Sequence, residues 1–212
     1  LLAPFKELVY VIGEFNDWEL LPEFQMNRHI VASDEVYWWV DITGLEPGKK
    51  YAFQYLVDNS IKIADPYAEE VLHPDDTYIP NTTYPNLKLY PYGETTEYVS
   101  IIETDKEEFA WTDNDYIRPP KENLVIYELL VRDFSASHSF KAVLDSLDYL
   151  QRLGINAIEL MPVNEFEGNN SWGYNPSFYF ATDRYYGPAE DLKRLINEAH
   201  NRGIAIILDA VY

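Results

Sequence analysis

The side chains best suited to chemistry in this sequence gather behind three apolar runs. Asp209 lies near the end of Ile204–Val211, Asn164, Glu165 and Glu167 follow Ile155–Pro162, and Arg132 and Asp133 follow Leu124–Val131. Nearly continuous apolar runs of this length are expected of parallel strands covered on both faces. In parallel α/β folds, ligands bind at the carboxyl ends of the strands, which places these residues on one rim. The loop Ser171-Trp-Gly-Tyr-Asn-Pro176 belongs to that rim as well. Aromatic rings above carboxylates suit a neutral, hydroxylated ligand, because a sugar face stacks on the ring while its hydroxyls bond at the edge. Each residue also has an ordinary structural reading from position alone. Glu159 points from mid-strand, and Glu165 and Glu167, two positions apart on one loop, are expected to be solvated loop charges.

Other chemistries are excluded by what the sequence lacks. It has no Gly-rich phosphate loop with its Lys, no Gly-x-Ser-x-Gly elbow and no His-Glu-x-x-His helix, and its four His are scattered. Zero Cys excludes disulfides, Cys-ligated metal and thiol nucleophiles. With 16 Lys+Arg against 36 Asp+Glu the net charge is −20, and a chain so acidic would be repelled by nucleic acid. No apolar run is long enough to span a bilayer, so a membrane partner is not expected either. The aromatic share of 16% suits sugar contact, and equally suits a β-rich fold that needs bulky strand residues.

The elements that must hold the rim follow from periodicity. Phe140, Val143, Leu144, Leu147 and Leu150 recur at helical spacing, with Ser137 or Ser139 as a cap and Gly154 as the stop. A second helix starts at Pro188, presents Leu192, Leu195, Ile196 and Ala199 on one face and stops at Gly203. Strand, helix, strand, helix, strand is a parallel α/β order. Before Pro120 the rhythm differs: short strands at Leu8–Gly13, Val36–Ile42, Tyr51–Val57 and Ile61–Ala64 are separated by turn signals, the spacing of a small antiparallel sandwich. Alternation puts Trp38 and Trp39 on opposite faces, so at most one is core. Between His73 and Pro120 prolines accumulate and periodicity fades, with Val99–Ile102 as a further strand.

Taken together, Gly154-Ile-Asn-Ala-Ile-Glu-Leu-Met-Pro162, Trp172-Gly-Tyr-Asn-Pro176, Tyr185-Tyr-Gly187 and Gly203-Ile-Ala-Ile-Ile-Leu-Asp-Ala-Val-Tyr212 resemble the opening of the catalytic barrel of the α-amylase superfamily, glycoside hydrolase family 13. Val11-Ile-Gly-Glu-Phe-Asn-Asp-Trp18, the Leu45-x-x-Gly48 turn, Tyr51–Tyr55 and Asp65-Pro-Tyr67 resemble the N-terminal β-sandwich of isoamylase, pullulanase and branching-enzyme relatives, classed as carbohydrate-binding module family 48. The resemblance implies a multi-domain chain: an all-β immunoglobulin-like sandwich over 1–105, a linker over 106–120, and over 121–212 the first three strands and two helices of an incomplete (β/α)8 TIM barrel, a barrel that takes about 250 residues when whole. It further implies that Tyr174 stacks under the sugar at the cleaved bond and that Asp209 helps order the site. Trp18 becomes a possible glycan contact.

The implied parent is a glycoside hydrolase acting on α-linked glucans, of the starch and glycogen type, by a retaining mechanism. The nucleophile and acid of such enzymes belong to later strands, so no catalytic residue is assigned within these 212 residues, which are expected to be inactive alone. Retaining hydrolysis needs two carboxyl groups about 5 Å apart in those roles. A glucan branching or transglycosylating relative, or a non-catalytic carbohydrate-binding or scaffolding protein, is the alternative. The expected partner is an α-glucan oligo- or polysaccharide, with self-association through open barrel strands. No metal or cofactor is expected, calcium in a full-length enzyme being unassignable. Localisation stays open.

Overall fold

A computed structural model describes all of residues 1–212, which divide into two compact units. The first comprises Leu1–Asp76 and Lys88–Glu107, the second Thr77–Leu87 and Glu108–Tyr212.

In the first unit, β1 (Val9–Gly13) pairs with β4 (Lys50–Val57) once the chain has made a hairpin of β2 (Asn27–Ala32) and β3 (Glu35–Trp39). The remaining strands are β5 (Ile61–Ile63), β6 (Val71–Leu72) and β7 (Val99–Glu103). The five-stranded sheet runs β1-β4-β7-β6, with β5 paired to the far end of β4, and all pairings are antiparallel. Alternate residues Val9, Val11, Phe53, Tyr55 and Val57 form one core face, which Val36 and Trp38 of the hairpin share. Trp38 is 4% exposed and donates Nε1–H to the Ala3 carbonyl, while Trp39 is 50% exposed, so the period of two separates them as alternation requires. β2 was not expected from sequence: all six of its residues are exposed, so no hydrophobic alternation marks it. β1 can approach β4 closely because residue 13 is glycine; a Cβ there would sit 2.5 Å from the Ala52 carbonyl oxygen.

In the second unit, β8 (Ile126–Leu129) leads into the single turn α1 (Val131–Phe134), then α2 (Phe140–Asp145) and α3 (Leu147–Arg152). β9 (Ala157–Leu160), the hairpin β10 (Asn164–Phe166) and β11 (Pro176–Thr182), α4 (Ala189–Asn201) and β12 (Ala205–Leu208) follow. The parallel strands lie in the order β12-β9-β8. Leu129, Ile158 and Leu160 bury one face of this sheet with Phe140, Val143 and Leu147, and Leu192, Leu195 and Ala199 of α4 belong to the same core. The single helix expected over 140–153 is two, joined at Ser146, whose Oγ donates to the Ala142 carbonyl at 2.8 Å; a serine that bonds back to its own helix favours a bend there. The long connection after Pro162 has structure of its own. It carries the β10–β11 hairpin, whose register shifts at every step and so breaks the alternation that sequence could have revealed. Residues 112–116 strap onto α4: the Thr112 amide donates to Asn197 Oδ1 at 2.7 Å, and Tyr116 stacks on His200 with ring centroids 3.9 Å apart.

Candidate functional site

The parallel sheet fixes the site. Glu128, Glu159 and Ile207 stand in register across β8, β9 and β12, on the face opposite the helices. Asp209 leaves β12 with its amide donating to the Leu160 carbonyl at 2.9 Å, which sets it at the strand ends. Tyr174, 43% exposed, reaches that position from the loop before β11 and donates its hydroxyl to Asp209 in a short hydrogen bond. The two residues singled out from sequence are thus brought together. That bond first, then lost hydration and the charges of Asp209, Glu128 and Glu159, push the Tyr174 phenol up to about 12. It therefore stays a neutral donor, beside carboxylates that accept.

The loop carrying Tyr174 is tightly built. Gly173 has φ +91, and a Cβ would lie 2.7 Å from the Pro162 carbonyl oxygen, so both the left-handed backbone and the close approach demand glycine. Ser171 Oγ accepts from the Gly173 amide at 3.0 Å. Arg132, in the turn after β8, grips the loop's start: Nη1 donates to Asn170 Oδ1 at 2.9 Å and to the Ser171 carbonyl at 3.2 Å. Its Nε and Nη2 donate to the two oxygens of Asp133 at 2.7 and 2.9 Å. That bidentate bond holds the Asp133 carboxyl below the usual carboxylate range. Trp172, 61% exposed, stands beside Tyr174 on the same loop.

Behind the loop, the expectation for Glu165 fails. It is 1% exposed and pairs with Arg184 Nη2 at 2.8 Å, both side chains being buried, whereas Glu167 is exposed as expected. The cause is the hairpin: β10 turns residue 165 inward against the turn Arg184–Tyr186. Asp183 caps that turn by accepting from the Tyr185 amide at 2.9 Å. Its burial first, and the nearby Glu165 charge second, raise its carboxyl well above the ordinary range, against the pull of Arg184. Sequence could have flagged Asp183 as a cap; nothing local marks Glu165 as the partner of a residue 19 positions on.

Arg132 and Asp133 were placed on the rim from sequence and His138, Asn169 and Asn170 were not, though all five line one cavity with Tyr185 and Tyr186. Glu128 was missed because an exposed charge on a short strand carries no periodic signal. Trp18 lies in the first unit, half-buried, at φ 61. The turn before it is closed by Asn16, whose Oδ1 accepts from the Gly13 amide and whose Nδ2 donates to the Val11 carbonyl. No group of His, Asp and Glu is arranged to hold a metal ion.

Comparison with known proteins places the chain in a family. The profile described as "Alpha amylase, catalytic domain" matches residues 107–212. Malto-oligosyltrehalose trehalohydrolase of Saccharolobus solfataricus is 32% identical over 189 residues, 89% of this chain and 28% of that protein. A 1,4-alpha-glucan branching enzyme of Clostridium perfringens is 29% identical over 213 aligned positions, 99% of this chain and 30% of its own length. The crystal structure of GBS pullulanase SAP in complex with maltotetraose superposes with a TM-score of 0.68 at 25% identity, covering 100% of this chain and 31% of that one. The chain thus spans less than a third of each.

Proposed function

This chain belongs to the alpha-amylase family, and on that premise we propose that it supplies the opening strands of the catalytic domain of an enzyme acting on α-linked glucans, of the starch and glycogen type, by a retaining mechanism. The observation that carries the reading is the Tyr174 hydroxyl bonded to Asp209 at the strand ends. A tyrosine held this way offers its ring to a sugar face, while Asp209 and the neighbouring carboxylates accept sugar hydroxyls. The trehalohydrolase, branching enzyme and pullulanase among its relatives support an α-glucan as the ligand.

Chemistry needs more than this rim. Retaining hydrolysis requires a nucleophilic carboxylate and a protonated acid about 5 Å apart across the scissile bond; of the carboxylates here Asp133 is paired with Arg132 and Glu165 with Arg184, Asp209 holds Tyr174, and the family resemblance puts the nucleophile and the acid on later strands. The 212 residues alone therefore bind glucan and do not cleave it. In the first unit, Trp18 is a second glycan contact on the same proposal.

Calorimetric titration of the chain with maltotetraose tests the reading. Saturable binding is expected, weakened at least tenfold by Tyr174→Ala and less by Trp18→Ala, with no release of reducing ends. Absence of binding, or binding indifferent to Tyr174→Ala, would refute the site; release of reducing ends would refute the inactivity.

A further inference from the structure

Beside the Tyr174 loop lies a cavity of about 410 Å³, within the size range of small-molecule sites. We propose that this cavity is a second glucosyl-binding site, engaged by the same glucan chain that reaches Tyr174. The inference rests on the glucan reading above and names a part of the binding surface that reading leaves out.

Charge selects the ligand class. The one guanidinium in the cavity wall, Arg132, is held bidentate by Asp133, so the two charges cancel where a ligand would sit. An anionic ligand such as a phosphate finds no uncompensated guanidinium. A neutral ligand with many hydroxyls finds both donors and acceptors. Asn170 has its Oδ1 occupied by Arg132, which leaves its NH2 to donate. Asn169, half-buried, offers a whole amide. His138 Nδ1 contacts the Arg132 carbonyl, and since a carbonyl only accepts, that nitrogen carries a proton and Nε2 is the ring nitrogen left for a ligand. The Tyr186 hydroxyl, on a residue 1% exposed, has only a poorly aligned contact with the Arg132 backbone and no hydrogen bond of ordinary geometry, and burial raises its phenol above the usual range. A sugar hydroxyl both donates and accepts, so it satisfies this mixed set as no simple anion or cation does.

Connectivity makes it the same chain. Arg132 Nη1 binds Asn170 and the Ser171 carbonyl together, and the loop continues from there through Gly173 to Tyr174. One short loop therefore walls the cavity at Asn169 and Asn170 and carries the stacking tyrosine a few residues on.

The test is a calorimetric series from maltose to maltoheptaose on the full chain. The wild type is expected to gain at least fivefold in affinity at one step of chain length, where the glucan first fills both places. Asn169→Ala combined with His138→Asn, which suits the left-handed backbone at 138 (φ 50), is expected to erase that step and leave shorter ligands within twofold. Tyr174→Ala is expected to weaken every length. Inorganic phosphate is expected not to compete. Circular dichroism and the melting temperature establish that the variants fold, both substituted side chains lying at the surface or half-buried. A step that survives the double variant, a series without a step, or competition by phosphate overturns the second site and leaves the Tyr174 site standing. Failure of the wild type to bind any member overturns both.

Discussion

At the scale of single residues, the site depends on two kinds of charge placement. Tyr174 and Asp209 meet at the rim, and the phenol, raised from 10.0 to about 12, keeps its proton more tightly in the folded chain. Its bond is therefore fully present below pH 10 and is lost as pH rises through about 12. Asp209→Asn removes the leading cause, so the Tyr174 phenolate midpoint, followed by tyrosine-ring NMR with Tyr174→Phe as the assignment control, is expected to fall towards 10; a midpoint unmoved near 12 would contradict the assignment. Glu165 and Arg184 differ, since their side chains are 1% and 4% exposed. A buried pair adds little net stability, but removing one partner strands the other, at a cost of about 3–5 kcal/mol. Glu165→Ala is expected to destabilise the second unit by that amount in urea unfolding, and pairing it with Arg184→Met to recover much of the loss. Sequence made Tyr174 and Asp209 legible because they follow apolar runs. It misjudged Glu165, because burial of a carboxylate is decided by a partner supplied from elsewhere in the chain.

At the scale of elements, loop geometry governs the site more than strand propensity does. The loop from Asn169 to Asn175 is held by Arg132 at its start and by the close passage of Gly173 over Pro162 at its middle. Gly173→Ala adds a Cβ 2.7 Å from a carbonyl oxygen at φ +91 and must push the loop outward, with strain of order 1–3 kcal/mol. The expected result is a lowered melting temperature together with loss of maltotetraose binding; retention of full affinity would show that the loop position is unimportant. The parallel strands and α4 were legible because their apolar spacing is regular and long. Strand β2 and the hairpin β10–β11 were not, because the first is exposed throughout and the second is irregular in register. Ser146 broke a helix whose hydrophobic period runs straight through it, since a side-chain hydrogen bond leaves no trace in that period.

At the scale of the whole molecule, charge and the two outer parallel strands bear on how the chain meets other copies of itself. The net charge is −20, with 8 basic and 23 acidic side chains among residues 1–120. The parallel sheet ends at β8 and β12, where Ile126 is 47% and Leu208 53% exposed. Open, apolar strand edges invite pairing with a second copy, opposed by the shared negative charge. The 212-residue chain is expected to self-associate in light scattering as salt screens that repulsion, and Ile126→Lys with Leu208→Lys is expected to suppress it; a monomer at every salt concentration would count against open edges as a contact. Sequence by itself determined the family, the parallel order of β8, β9 and β12, and the candidacy of Tyr174 and Asp209, because these depend on local spacing and on residues near strand ends. Only the tertiary structure decided that Glu165 is buried against Arg184, that Arg132 clamps the Tyr174 loop, and that Asn169, Asn170 and His138 share a cavity with Tyr186. Those facts depend on which distant side chains meet, and hydrogen bonds between loops, unlike hydrophobic periods, follow no repeat along the chain.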